Sequence, residues 1–187
     1  MIYLASRSPR RVQLLSEITE DFVSSPTNIE EKEYPDLTPK EKCIRRAKDK
    51  CIRAVNRIRE NGMVVISADT VVDLDGCVMD KPKDAAAAAD MLQKLSENSH
   101  KVYTAVSVYK DGSMYSFCCE TAVFFDKIPQ QFIDEYVKTD EAYDKAGGYA
   151  IQGSAGRYIK NIEGDYNNVV GLPVQKLEKL LKHIKAI

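Results

Sequence analysis

The stretch that decides the fold is Met63-Val64-Val65-Ile66-Ser67-Ala68-Asp69. Apart from one serine it is apolar up to the aspartate, which is typical of a central strand covered on both faces. We expect the strand to end at Asp69. A carboxylate there needs a cation, a metal or a hydrogen-bond donor beside it, because burying an unpaired charge is costly. Asp69 is therefore a candidate metal ligand or general base, or simply a satisfied capping residue.

Strands and helices alternate on both sides of this run. Ser8 before Pro9 and the capping box that opens at Thr38 each predict the start of a helix, the second running to about Arg59. Asp75-Gly76 predicts a hairpin turn. Further strands are expected over 1–5, 22–25, 71–74, 77–79, 101–109, 114–125 and 157–162, and further helices over 84–95 and from Pro129 and Pro173. The pattern predicts a mixed α/β fold with long antiparallel strands, as one domain over residues 1–187.

Composition excludes several classes of protein. The chain has 187 residues, 44% hydrophobic and 29% charged, which is close to the globular average and argues against disorder. Its net charge of −1 argues against coating of nucleic acid through bulk charge. No apolar run is long enough for a membrane span, and the first residues do not have the pattern of a signal peptide.

Cysteines and histidines give no sign of a zinc site. Five cysteines do not pair evenly, no CxxC motif occurs, and there are only two histidines. We interpret the cysteines as free thiols in a reducing cytoplasm and His100 as structural.

A first candidate anion site is Ser8-Pro9-Arg10-Arg11. A helix N-terminus offers unpaired N–H groups and a partial positive charge, and arginine donors match phosphate oxygens. The alternative is a capped surface helix with two solvated arginines.

Lysines and acids elsewhere could complete such a site. Lys81 follows the hairpin, whose return would bring it close to Asp69, and Lys50 borders the apolar face of its helix. Each could equally be a surface lysine with a buried stem. Glu30-Glu31 precedes the capping box and could equally be solvated.

A glycine-rich segment follows near residue 150. Gln152 within it carries both a donor and an acceptor, as reading of a base edge requires. The alternative is a structured turn. Phosphate cations, a strand-end carboxylate and a base-reading loop together suggest a metal-assisted enzyme acting on a nucleotide phosphate.

Six motifs in order resemble the Maf nucleoside triphosphate pyrophosphatases over nearly the whole chain. They are Ser6–Arg11, Ala68–Val72, Asp80–Pro82, His100–Val106, Asp144–Gly153 and Val170–Pro173. The resemblance implies a fold similar to inosine triphosphate pyrophosphatase, with a long bent mixed sheet, flanking helices and a cleft between two lobes. It also implies hydrolysis of a nucleoside triphosphate to the monophosphate and pyrophosphate with a divalent cation, and allows a homodimer.

Within that family the subgroup acting on dTTP and UTP is the most similar, with specificity positions at Arg11, Thr70 and Gln152. The resemblance makes Asp69 the catalytic base and places Glu31, Lys50 and Lys81 in the cleft. On this hypothesis the groups that meet the phosphates are Ser8, Arg10, Arg11, Lys50 and Lys81. Mg²⁺ or Mn²⁺ would bridge phosphate oxygens and Glu31 or Asp69.

Three alternatives stay open. The substrate could be 7-methyl-GTP, whose subgroup usually has another residue at the position of Thr70. The protein could be a nucleotide-binding regulator of cell division without turnover, which would not need Asp69. Binding to nucleic acid is the third alternative, and the absence of a continuous basic stripe argues against it.

Overall fold

A computed structural model of the protein describes residues 1–26 and 34–187. Its strands are β1 Ile2–Leu4, β2 Phe22–Ser24, β3 Val64–Leu74, β4 Cys77–Met79, β5 Ser99–Lys110, β6 Ser113–Phe125 and β7 Ile159–Glu163. Its α-helices are α1 Pro9–Ser16, α2 Pro39–Ile58, α3 Ala85–Leu95, α4 Gln130–Tyr136, α5 Tyr166–Val170 and α6 Val174–His183.

These strands form one mixed sheet in the order β2-β1-β3-β5-β6-β7, with β4 paired to β3. The pairs of β1 with β2 and with β3 are parallel, and the remaining pairs are antiparallel. Helices flank the sheet, so the predicted mixed α/β class is confirmed. Among the described helices, none combines the length and the apolar character that crossing a membrane would need.

The predicted end of β3 at Asp69 was wrong. The strand continues to Leu74, and β5 pairs with it from Val64 to Asp73, with Asp69 opposite Ala105. The apolar run ends at Asp69, but the ladder to β5 does not, because the backbone hydrogen bonds of an antiparallel pair do not depend on the side chain.

One edge of β3 is interrupted. β1 pairs along it as far as Ile66, and β4 begins to pair along it at Val72. No described strand pairs with residues 67–71 on this edge, which we call the edge gap. Alternation along the strand turns the backbone groups of Ala68 and Thr70 toward the gap.

Helices pack on both faces of the long strands, with two core clusters on one face and α2 on the other. The first core cluster joins α1 and α6 to Ile66 and Ala68, and the second joins α3 and α4 to Val72 and the end of β6. On the opposite face α2 packs its small side chains on Val65 and Val71. β3 and β5 therefore run through both clusters, and the edge gap lies where one cluster gives way to the other.

Local signals predicted most element boundaries. Ser8 caps α1, Thr38 forms a reciprocal capping box on α2, and the Asp75-Gly76 turn joins β3 to β4. The strand expected over 157–162 is wrong at its start, because residues Ser154–Tyr158 form a 3₁₀ helix before β7.

Candidate active site at the edge gap

Lys50 and Asp69 form an ion pair at the edge gap. Residues of β3 with odd numbers face α2, and this helix brings Lys50 over the strand, where its Nζ pairs with Asp69 Oδ1. Asp69 is 3% exposed. Neighbouring contacts fix the helix on the strand: Ser67 Oγ donates to the Ala47 carbonyl at 2.8 Å, and Cys43 Sγ donates to the Asp69 carbonyl at 3.2 Å. Of the three partners that the sequence analysis allowed for Asp69, a cation, a metal or a hydrogen-bond donor, the structure shows a cation.

Arg46 lies one helical turn before Lys50 and extends this charged layer. It is 4% exposed, and its Nη1 donates to Asp80 Oδ1 at 2.9 Å. Sequence reasoning missed Arg46, although its spacing of four residues from Lys50 places both on one helix face. The Asp80 carbonyl also accepts from the Gly147 N–H at 3.3 Å, which ties the end of the β3–β4 hairpin to the glycine-rich segment.

Lys81 is exposed just beyond β4, which ends at Met79. The register of the hairpin, in which Val72 pairs with Met79, carries the chain back along β3 as predicted. A contact of Lys81 with a phosphate stays a prediction.

Arg11 approaches the edge gap from the other face of β3. Its Nε donates to the Gly171 carbonyl at 2.8 Å, Nη1 to the Ala68 carbonyl at 2.9 Å and Nη2 to Thr70 Oγ1 at 2.9 Å. Three of the five guanidinium N–H groups are therefore committed to the protein itself. Arg11 joins α1 and the C-terminal end of α5 to the gap, in addition to any contact with a substrate.

Thr70 continues into a buried polar network. Its hydroxyl lies 2.9 Å from Thr104 Oγ1 on the neighbouring strand. Asn168, which is fully buried, accepts from the Thr104 N–H at 3.0 Å and donates from Nδ2 to the Val102 carbonyl and Thr121 Oγ1. Nothing in the sequence around Asn168 signals this role, because its partners lie 47–66 residues away.

The predicted phosphate-binding turn leads into α1. Ser8 Oγ accepts from the Arg11 N–H at 3.5 Å, so the hydroxyl caps the helix. Arg10 Nη1 lies 3.9 Å from Asp144 Oδ2, which places this helix end beside the glycine-rich segment. Asp69 and Arg11 thus border the same gap, but their side chains approach it from opposite faces of β3.

Gln152 is exposed on the glycine-rich segment. Ile151 before it packs against the first core cluster, while Tyr149 and Ala155 belong to the second. The segment therefore crosses between the clusters, as β3 does at the edge gap.

His100 is buried and structural. Its Nε2 lies 2.6 Å from the Tyr149 hydroxyl, and its ring stacks on Phe125. Burial lowers the pKa of His100 from its usual 6.5 to about 4, which keeps the ring neutral. Burial likewise raises the pKa of Tyr149.

The divalent metal site stays a prediction. Residues 1–26 and 34–187 contain no group of three or more His, Cys, Asp or Glu side chains arranged to hold a metal. Glu31, the second predicted ligand, lies outside these residues. A single carboxylate nevertheless suits Mg²⁺, which is commonly held by one or two carboxylates, water and substrate phosphates. All five cysteines are free thiols, as predicted.

Comparisons with known proteins agree with this architecture. Residues 1–184 match the model of the family described as Maf-like protein. A dTTP/UTP pyrophosphatase of Hydrogenovibrio crunogenus is 40% identical over 183 residues, which are 97% of this chain and 94% of that protein. A dTTP/UTP pyrophosphatase of Escherichia coli K12 is 39% identical over 186 residues, or 100% and 94% of the two chains.

Solved structures show the same fold. The Ham1 protein of Staphylococcus aureus aligns with a TM-score of 0.51 at 15% identity, over 98% of each chain. A HAM1 protein of Coxiella burnetii aligns with a TM-score of 0.56 at 13% identity, over 97% of this chain and 98% of its own. From the full-length match to the family model and the relatives near 40% identity, we conclude that the chain belongs to the Maf-like protein family.

Proposed function

We propose that this protein hydrolyses nucleoside triphosphates to the monophosphate and pyrophosphate, with dTTP and UTP as preferred substrates. Family membership and the relatives named dTTP/UTP pyrophosphatase support the reaction class. The observation in the molecule that carries the proposal is the Lys50–Asp69 pair at the edge gap, with Arg11 bound to the carbonyl of Ala68, the residue before Asp69. A carboxylate and cations at one break in a sheet suit an anionic substrate.

In the proposed mechanism Asp69 is the general base. Its carboxylate orients a water molecule and takes a proton from it as the oxygen attacks the α-phosphorus. The bond between that phosphorus and the oxygen leading to the β-phosphorus breaks, and pyrophosphate leaves with that electron pair. Lys50 holds the Asp69 carboxylate in place before substrate arrives, so that little reorganisation accompanies the reaction.

Cations around the gap bind the phosphates. Lys81 and Arg10 lie on the hairpin end and on α1, and Ser8 marks the N-terminus of that helix. A divalent cation, Mg²⁺ or Mn²⁺, would be held by Asp69 and Glu31 and would neutralise charge on the phosphate oxygens. Arg11 and Thr70 border the site and are joined to one another by a hydrogen bond.

Gln152 selects the base in this proposal. A side-chain amide carries a donor and an acceptor, which suit the 4-carbonyl and N3–H of thymine and uracil. Cytosine has an amino group and an unprotonated N3 at these positions, so the same amide would have to turn over to bind it.

A substrate panel with product identification tests the function. Purified protein is incubated with canonical nucleoside triphosphates and 7-methyl-GTP, with Mg²⁺ and with EDTA, and pyrophosphate is distinguished from orthophosphate. We expect the highest kcat/KM with dTTP and UTP, pyrophosphate as product and loss of turnover in EDTA that added Mg²⁺ restores. Orthophosphate as the product would contradict attack at the α-phosphorus.

The other outcomes identify the alternatives. A preference for 7-methyl-GTP would overturn the assignment to pyrimidine nucleotides. Nucleotide binding without turnover would indicate a regulatory module. Strongly salt-dependent binding of a random oligonucleotide would indicate a nucleic-acid-binding protein. A homodimer stays a prediction, which light scattering would test.

A further inference from the structure

Glu141 holds the segment that carries Gln152. Its Oε1 accepts from the Ser154 backbone N–H at 2.8 Å, and its Oε2 accepts from the Ser154 hydroxyl at 2.9 Å. The Tyr136 hydroxyl lies 3.5 Å from Oε1. The Glu141 carboxylate thus accepts hydrogen bonds from two donors of Ser154, thirteen positions away in the chain. Hydrogen bonds to an ionised acceptor are stronger than neutral ones.

Close packing around these bonds requires glycine at position 153, directly before Ser154. A Cβ atom at Gly153 would lie 1.9 Å from Glu141 Oε1, so no other residue fits without displacing the carboxylate. A Cβ atom at Gly156 would lie 2.2 Å from the Ile151 carbonyl oxygen. The turn over residues 150–156, which we call the Gln152 turn, therefore closes on itself and on Glu141.

Gln152 itself is left accessible by this arrangement. Within residues 149–153 it is the exposed side chain, while Tyr149 is buried and the others are half-buried. Ile151 on one side packs in the first core cluster, and Gly153 on the other touches Glu141. Both neighbours of Gln152 are therefore fixed, so its backbone is in place before a ligand arrives, which removes part of the ordering cost from binding.

Glu141 is also linked to the part of the candidate site that is expected to bind phosphate. Lys145 Nζ donates to the Glu141 carbonyl at 2.6 Å and forms an ion pair with Asp144, which in turn lies 3.9 Å from Arg10. Glu141 therefore stands between the turn that carries Gln152 and the N-terminal end of α1.

We propose that Glu141 is a specificity-positioning residue, which fixes the Gln152 turn so that the Gln152 amide can read the nucleobase. The inference rests on the proposed function. Glu141 touches neither substrate nor the reacting atoms. Without its carboxylate the turn loses two bonds, Gln152 samples several positions, and base discrimination falls while the chemical step is retained.

The experiment compares four variants: Glu141→Ala, Gly153→Ala, Gln152→Ala and the double variant Glu141→Ala/Gln152→Ala. Gly153→Ala keeps the carboxylate and blocks its approach, so it tests the contact by a second route. Glu135→Ala is the matched control, because Glu135 is an exposed acid on α4 whose carboxylate forms an ion pair with Lys138. Steady-state kinetics with dTTP and dCTP are measured for each, with thermal unfolding as a check on folding.

We expect Glu141→Ala and Gly153→Ala to raise KM for dTTP about tenfold, with kcat changed by less than about threefold. Their preference for dTTP over dCTP should fall toward that of Gln152→Ala. The double variant should be no worse than Gln152→Ala, because two residues that act through one contact are not additive. Glu135→Ala should match the parent protein.

Several results would overturn the inference. One is an unchanged preference for dTTP in Glu141→Ala while Gln152→Ala loses it, which leaves the proposed function standing. Another is an equal loss of kcat/KM for both nucleotides, or unfolding of both the Glu141 and Gly153 variants, which would make the contact purely structural. If Gln152→Ala itself keeps the preference, base reading by Gln152 and the role of Glu141 both fail, although pyrophosphate release would still be measured.

Discussion

The two faces of β3 hold their polar side chains by different means. On the face covered by α2, charged groups pair: Asp69 with Lys50, and one helical turn away Arg46 with Asp80. On the opposite face the buried groups around Thr70 are hydroxyls and an amide, joined to one another and to backbone, with a single guanidinium at the edge.

The difference between charged pairs and neutral hydrogen bonds suggests different roles for the two faces of β3, catalysis on one and stability on the other. A charged pair can exchange a partner for a phosphate or a metal ion at little cost, because the entering ion replaces the charge that leaves. A network of neutral groups is directional, and each bond broken leaves a buried donor or acceptor without a partner. We therefore expect changes on the α2 face to affect turnover as well as stability, and changes on the opposite face to affect stability alone.

The largest effect should come from Asp69→Asn. The amide keeps the shape and removes the base, so we expect kcat to fall about 100-fold or more in steady-state assays with dTTP. Asp73→Asn is the control, because Asp73 lies on the same face of β3 but accepts from the Gly76 N–H in the hairpin turn. Near-normal turnover in Asp69→Asn would remove Asp69 from the chemistry and break the comparison.

Replacing Lys50 tests what the Lys50–Asp69 ion pair contributes to stability. In Lys50→Met the buried Asp69 carboxylate loses its ion-pair partner, and we expect the free energy of unfolding in urea to fall by about 2–4 kcal/mol. Adding Asp69→Asn should restore part of this loss, since the buried carboxylate charge that Lys50 compensates is then removed as well. Strictly additive losses would show that the two side chains are not coupled.

Low pH should destabilise the face of the sheet that holds the hydroxyl and amide groups, because His100 lies there. This histidine is on β5, on the same side of the sheet as Thr104. Because burial lowers the pKa of His100 to about 4, the unfolded chain binds a proton more readily than the folded protein. The stability that this neutral ring contributes is complete above about pH 6.5 and is lost as the pH falls toward 4, about 3 kcal/mol in all.

Two substitutions isolate this effect in urea unfolding measured from pH 7 to 4. His100→Gln can keep the bond to Tyr149 but cannot titrate, so its stability should depend less on pH in this range. His183→Gln changes the exposed histidine on α6 and should behave as the parent does. Equal pH dependence in all three proteins would exclude His100 as the source.

The smallest effect is expected from Thr104→Val, which keeps the shape of the side chain and removes its hydroxyl. The Asn168 carbonyl and the Thr70 hydroxyl each lose a partner, so unfolding should require about 1–2 kcal/mol less. We expect kcat to change little. A loss of turnover comparable to that of Asp69→Asn would show that this face takes part in the chemistry.

Short-range signals explain what could be predicted from the sequence. Ser8 with Pro9, the Thr38 capping box and Asp75-Gly76 act within three or four residues, and each begins or turns an element where expected. The pairing of Lys50 with Asp69 agrees with the physical demand that a buried acid finds a cation.

Long-range partners explain what was missed. The end of β3 was misplaced because pairing with β5 continues past Asp69. Asn168 and Glu141 looked like ordinary polar residues, since Asn168 bonds to groups up to sixty-six positions away and Glu141 bonds to Ser154, thirteen positions away. Glu31 lies outside the described residues, so its predicted role as a metal ligand stands as it was.

The hydrogen bonds of the hydroxyl network at Thr70 and Thr104 all donate in the same direction. Thr104 gives its one hydroxyl proton to the Asn168 carbonyl, so the bond between Thr104 and Thr70 must use the proton of Thr70. Arg11 donates to Thr70 from the other side, and the protons all run in one direction. Any further group that reaches Thr70 Oγ1 therefore meets a lone pair and must bring its own hydrogen.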